Sequence, residues 1–260
     1  MDNSTLTLNP KQLTILTYLY RFRFLTSLQL QKLLTDKTLR LTNYHLKILT
    51  SLNYINKHYS RTLGLANQPA VYFLAPRSIK VLENTEGITP RGLKRIYREK
   101  IRSPQFIAHA SFIADYYLFL LNDSIKIKQT LHFFTKSDLQ VHPYMIHPLP
   151  DAYFARVDKG QTKRYFVEVI EEGAPRFAIR RRIEQYNNYI EEGKFEEATN
   201  HPFPTILFIC PNTGILIYLK KHLERIYEET SFDQTSVYLA THEDAFSGAW
   251  EKVDEAEERK

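Results

Sequence analysis

The sequence predicts an α+β protein in two parts: a helical N-terminal module closed by a β-hairpin, then a mixed sheet flanked by helices. Three observations predict it. Apolar residues recur at helical spacing through residues 9–52. Two short β-branched and aromatic runs follow, on either side of a polar, Gly-containing loop. From Gln105 onward, helical and strand patterns alternate in the order α-β-β-β-α-β-α-β, which suits a mixed sheet with helices against it.

Taken in order, "NPKQLTILTYLYRF" enters a helix through Asn-Pro and spaces Leu13, Leu16, Leu19 and Tyr20 for one face. "LTSLQLQKLL" repeats the pattern, with Thr26 or Ser27 as N-cap. After the turn "TDK", "TLRLTNYHLKILTSL" supplies a third helix. On it Arg40, Asn43, Tyr44 and Lys47 fall within about 100° of one another, while Leu39, Leu41, Leu46, Ile48, Leu49 and Leu52 fill the remaining arc. "LNYINKHYS" and "PAVYFLAP" then form a hairpin. Three helices closed by a hairpin make a winged helix-turn-helix over residues 1–82, with "RTLGLANQ" (61–68) as its wing. Its third helix would offer Arg, Asn, Tyr and Lys to phosphates and base edges, and Arg61 would add a wing contact.

Residues 83–104 carry Gly, Pro and a dense basic run and read as a linker with a short helix at 91–100. Arg91, Lys94, Arg95 and Arg98 on it are candidates to extend the phosphate-binding surface. The second domain, residues 105–245, opens with the amphipathic helix "QFIAHASFIADYYLFLLN" and a strand by alternation in "SIKIKQTLHFF". "DAYFARV" and "KRYFVEVI" form a hairpin around Asp158, Lys159 and Gly160. "PRFAIRRRIEQYNNYIEEG" is a helix with Pro175 near its start and Gly193 past its end. "FPTILFIC", "GILIYLKKHLERIYEE" and "TSVYLAT" complete the order as strand, helix and strand, leaving 246–260 as a polar tail.

Charge divides along the same line. Residues 1–110 hold 17 Lys/Arg against 5 Asp/Glu, a balance of +12; residues 111–260 hold 18 against 24, a balance of −6. A basic first half is the electrostatic footprint of a polyanion binder, with double-stranded DNA the expected partner. The single Cys210 excludes a disulfide framework. No apolar run approaches a membrane span, so a cytoplasmic protein without a membrane partner is expected. A homodimer is compatible with the module, although no coiled-coil heptads call for one.

One stretch carries catalytic potential. In "PLPDAYFARVDKGQTKRYFVEVIEEG" (148–173), Asp151 follows a Pro, and Glu168 lies in the next apolar run. On neighbouring strands the two could hold Mg²⁺ through oxygen ligands, and the metal would activate a water against a phosphate. On the following helix Ile179, Ile183, Tyr186 and Ile190 form the packing stripe, with Arg176, Arg180 and Arg181 off it. Arg180 is the candidate cation for the scissile phosphate. Three readings stay open: a cation moved to this helix, a metal site without turnover, or two acids with no metal role. The lone Cys210 has no visible base beside it, and His109, between apolar residues, suits packing better than catalysis.

This arrangement resembles the restriction-endonuclease-like PD-(D/E)XK superfamily. The whole chain resembles the narrower replication-relaxation family of plasmids and other mobile elements. The residues that carry the likeness run from the winged helix through "FIAHASFIADYYLFL", "LPDAYF", "YFVEVIEEG", "IRRRIEQYNNYI" and "FPTILFIC" to "ATHEDAFSGAW", across residues 8 to 250. The resemblance implies a DNA-associated role in replication, relaxation or transfer, with a relaxase or replication protein as a partner. It also implies a Lys two residues after the Glu, or in the narrower family an acid; Ile170 departs from both. The expected function is a DNA-binding accessory protein whose nuclease-like domain lacks full catalysis. The alternatives are a Mg-dependent endonuclease using Asp151 and Glu168, and a protein–protein adaptor.

Overall fold

The computed structural model describes residues 8–58, 70–227 and 229–253. The wing, including Arg61, lies outside the described residues. The chain divides into two compact units, Met1–Leu118 and Phe119–Lys260.

In the first unit, helix α1 (Pro10–Phe22) starts with a capping box: the Asn9 side chain accepts from the Gln12 N–H, and the Gln12 side chain accepts from the Asn9 N–H. Helix α2 (Ser27–Leu33) repeats the device with Thr26 and Gln29, and helix α3 (Leu39–Ser51) is capped by Thr38. Each cap satisfies donors that the first helical turn leaves unpaired. Strand β1 (Leu25–Thr26), which period alone did not suggest, pairs with β3 (Val71–Leu74), and β3 pairs antiparallel with β2 (Ile55–His58). Ile15, Leu16, Leu19, Leu30, Leu46, Leu49 and Phe73 are buried. Two features of α3 differ from its period. Leu41 is 41% exposed, whereas Thr42 and His45 are buried. The reason is polar. Thr42 Oγ1 donates to Asp36 at 2.7 Å, and Asp36 also accepts from Lys11 of α1, so this edge of α3 is fixed by an ion pair.

Residues 83–104 are folded within the first unit. After α4 (Ile79–Leu82), helix α5 (Pro90–Lys94) runs into a 3₁₀ helix, Arg95–Ile101. Tyr20 and Glu99 are centres of the contacts that hold this segment. The Tyr20 hydroxyl accepts from the Thr89 N–H, and buried Glu99 receives both arms of Arg23 at 2.9 Å, with Arg102 at 3.6 Å. A basic run is thus tethered by its one buried acid. Gly92 is required here, since a Cβ would fall 2.1 Å from the Tyr20 hydroxyl oxygen.

Helix α6 (Pro104–Lys126) leads from the first unit into the second, whose sheet has the order β4-β5-β6-β7-β8-β9. Its strands are β4 (Thr130–Thr135), β5 (Ala152–Asp158), β6 (Gln161–Val169), β7 (Thr205–Cys210), β8 (Val237–Thr241) and β9 (Glu251–Val253). β4 to β6 are antiparallel, β6 to β8 parallel, and β9 antiparallel again. The parallel steps require crossovers, supplied by α7 (Arg176–Glu191) with α8 (Lys194–Thr199), and by α9 (Thr213–Ile226). The β5–β6 turn has φ 47° at Lys159 and 84° at Gly160, the left-handed pair that matches hairpin twist. The expected mixed sheet flanked by helices is present.

Two boundaries differ from the sequence pattern. Ile125, expected in a strand, is exposed in the last turn of α6, and Ile127 follows it, also exposed. The helix runs to Lys126 because no Gly or Pro breaks it sooner, and Lys128 in the turn beyond has a φ of 57°. Beyond Ala245 the chain is not simply a tail. α10 (His242–Ser247) ends at left-handed Gly248, and β9 buries Val253 against the sheet edge.

The polar edge of α3 predicts a pH response. Burial holds the His45 imidazole below its ordinary value, assisted by Lys11 and opposed by Asp36. Because the unfolded imidazole takes its proton near pH 6.5 and the folded one only lower, acidification through that range favours unfolding. His45→Gln is therefore expected to lose less stability between pH 7 and pH 5 than the parent, measured as urea midpoints; identical pH slopes would remove His45 from the account.

Candidate functional site

Asp151 and Glu168 do come together. Extending the β5–β6 register, in which Ala152 faces Val167, by one residue sets Asp151 opposite Glu168 on the same face of the sheet. The Asp151 N–H donates to the Val167 carbonyl at 3.0 Å, so its backbone is locked at the head of β5. Glu168 lies on β6, opposite Phe208 of β7, near the centre of the sheet.

Two acids facing each other, Asp151 buried and Glu168 half-buried, repel unless each finds a cation. Each does. Asp151 Oδ1 receives Lys136 Nζ at 3.0 Å, and Oδ2 accepts from the Val169 N–H at 2.9 Å. Glu168 Oε1 accepts from Arg182 Nη2 and, at 2.6 Å, from the Tyr186 hydroxyl. The Arg182 guanidinium also stacks on the Tyr186 ring, 4.6 Å from its centroid. Burial pushes the Glu168 carboxyl up, against the pull of Arg182, and pushes the Tyr186 phenol well up. Burial alone would lower Lys136, but the charges of Asp151 and Glu168 outweigh it and hold the ammonium protonated.

The position two residues past Glu168 has no part in this. The Ile170 N–H donates to the Ile209 carbonyl at 2.8 Å, and its side chain packs on the core beneath the sheet. The cations come instead from the loop after β4 and from α7. Arg182, not Arg180, is the α7 residue at the acids. The buried stripe of Ile179, Ile183, Tyr186 and Ile190 turns toward the sheet, and Arg182 flanks one edge while Arg176 and Arg180 flank the other. Arg180 is exposed and donates to the Tyr218 hydroxyl of α9 at 3.0 Å. Sequence spacing singled out Arg176, Arg180 and Arg181 and did not single out Arg182; the edge of the stripe that meets Glu168 is set by how α7 crosses between β6 and β7.

These groups do not suit Mg²⁺. A divalent ion needs carboxylate oxygens facing open space, and here three of the four carboxylate oxygens already hold protein donors, two of them cationic. Among the described residues, no group of three or more His, Cys, Asp or Glu is arranged to hold a metal. Lys136 stays protonated and a guanidinium does not titrate, so neither can take a proton from water. Cys210 offers no alternative nucleophile: it is buried, and burial pushes its thiol up to about 12.

The α3 residues are arranged differently. Arg40, Asn43, Tyr44 and Lys47 are all exposed, Tyr44 at 60%. Beside them an open groove of about 530 Å³ is lined by Ser27, Asn43, Lys47, Thr50, Lys57 and Tyr72. The helix face is polar because its opposite face buries Leu46 and Leu49. Arg91, Lys94 and Arg98 are exposed on the segment bound to α1, apart from α3 in the fold's order. Arg95 is committed elsewhere: its guanidinium stacks on the Tyr20 ring at 4.7 Å and donates to the Tyr20 carbonyl.

A family model for replication-relaxation proteins matches residues 16–206, from within α1 to the start of β7. The chain belongs to the replication-relaxation family. Membership therefore rests on both units, the three-helix module and the sheet as far as β7. No curated protein matches the chain. Among the described residues of this family member, no helix is long and apolar enough to cross a membrane.

The paired charges predict an asymmetry in stability. Arg182→Ala strands Glu168 in a half-buried position and is expected to cost about 3 kcal/mol. Replacing both, as Glu168→Leu with Arg182→Met, removes the stranded charge and is expected to cost less than the single change. Urea unfolding of the three proteins checks this, and a double variant less stable than Arg182→Ala would contradict it.

Proposed function

We propose that this replication-relaxation protein binds duplex DNA as a cytoplasmic accessory factor of a mobile element, in replication, relaxation or transfer, and does not itself cleave the strand. The observation that carries the reading is the exposed polar face of α3. A helix capped by Thr38, packed through Leu46 and Leu49, and tied at its edge to Asp36 is a rigid support. A rigid support is what a recognition helix in a major groove needs. Arg40 and Lys47 would neutralise phosphates, while Asn43 and Tyr44 between them would meet base edges and sugar. The wing, with Arg61, and the exposed Arg91, Lys94 and Arg98 would add phosphate contacts.

The second unit supports an accessory role over an endonuclease. Its two acids lie where a nuclease-like sheet would hold a metal, but Lys136 and Arg182 already neutralise them. The domain then serves as a scaffold, with a relaxase or replication protein as the partner the family name suggests.

The test is the salt dependence of binding to a labelled duplex. Each neutralised phosphate contributes about 0.9 to the slope of log K against log salt. Arg40→Ala with Lys47→Ala is expected to weaken binding and to lower the slope by about two. An unchanged slope would remove the α3 face from the interface.

A further inference from the structure

On the edge of α7 away from Glu168, two helices bring cations together. Arg176 and Arg180 are one turn apart on α7, and Lys221, His222 and Arg225 follow Tyr218 at helical spacing on α9. Arg180, Lys221, His222 and Arg225 line an open groove of about 210 Å³ together with Tyr218, and Arg176 joins them through the Tyr218 ring. Tyr218 organises them. Its ring carries the Arg176 guanidinium at 4.6 Å, its hydroxyl receives Arg180 at 3.0 Å, and it stacks with His222 at 6.4 Å. The Arg225 guanidinium meets His222 Nδ1 at 2.9 Å, an arrangement that requires His222 to be neutral and accepting. Burial, Arg225 and Arg180 all hold the imidazole low, while Glu184 opposes them more weakly.

This grouping places like charges side by side. Like charges at helical spacing repel, and among the described ion pairs none takes up Arg176, Arg180, Lys221 or Arg225. The cluster is also local. Residues 111–260 carry a net −6, so three cations on one groove, with Arg176 over the Tyr218 ring as a fourth nearby, run against the charge of their surroundings. Two guanidiniums held at set angles by one phenol, with a third fixed on a neutral imidazole, match the oxygens of a phosphodiester better than they match water.

We propose that the α7–α9 groove is a second phosphate-binding site, which takes the sugar–phosphate backbone of a nucleic acid independently of base sequence. The proposal rests on the duplex-binding reading above and adds a contact on the second unit. It uses residues that the carboxylate site does not, so the scaffold keeps a nucleic-acid role without cleavage.

The test uses the full chain and a labelled duplex at several salt concentrations, with Arg180→Ala plus Arg225→Ala, the same pair as Lys, and each set combined with Arg40→Ala and Lys47→Ala. The alanine pair is expected to lower the salt slope by about two in both backgrounds, and the lysine pair to restore most of it, since charge rather than geometry alone sets counterion release. An unaffected slope with the alanine pair overturns this site whatever α3 does. An unaffected slope with the α3 pair alone overturns only the α3 reading. Loss that lysine does not restore marks a structural role and also overturns the site. So does binding of these cations to anionic phospholipid vesicles with none to the duplex.

Discussion

The second unit is built around two carboxylates that face each other across adjacent strands. Asp151, buried, and Glu168, half-buried, cannot both be ionised unless cations reach them, and the fold brings one to each. Lys136 arrives from the loop that ends β4, and Arg182 from the first turns of α7. Much else follows from that requirement. The Tyr186 ring must sit under the guanidinium, the Val169 N–H must turn toward Asp151, and Ile170 is released from any polar duty and joins the core. A site of this kind is structurally expensive to disturb, because three of its four carboxylate oxygens already hold protein donors.

The first unit has the complementary design. Some of its charges are committed to ion pairs, as with Arg23 on Glu99 and Lys11 on Asp36, and others are presented outside, on α3 and on the α5 segment. The committed ones set the position of the presented ones. Asp36 holds Thr42 and so fixes the rotation of α3, which decides that Arg40, Asn43, Tyr44 and Lys47 point outward. The basic balance of residues 1–110 is therefore not a uniform coat. Part of it binds the module together, and part is exposed on the surface, where the proposed duplex contact would use it.

How much of this was legible before any coordinates depends on how local each feature is. The Asn-Pro helix entry, a cap at Thr26 or Ser27 (Thr26 in the structure) and the Lys159-Gly160 turn depend on neighbouring residues, and they were readable. So was the pairing of Asp151 with Glu168, because one hairpin fixes its register. What was not readable depends on distance along the chain. Lys136 is fifteen residues before Asp151, in a loop with no periodicity. Arg180 and Arg182 have equal standing on a helical wheel, and only the three-dimensional crossover separates them. The strand expected around Ile125 failed for a related reason: alternation over a few residues also fits the exposed end of a helix, and nothing nearby breaks α6. Buried Thr42 and His45 were missed because their partner, Asp36, lies before the helix.

The most direct test of the account is a single gel. Supercoiled plasmid is incubated with the purified full chain and Mg²⁺ or Mn²⁺, then run with and without prior removal of protein. Charge-neutralised acids in the second unit, and the duplex binding proposed for the exposed face of α3, predict retarded migration before protein removal and fully supercoiled plasmid after it. Metal-dependent nicking that disappears in Asp151→Ala and Glu168→Ala would contradict the account at its centre.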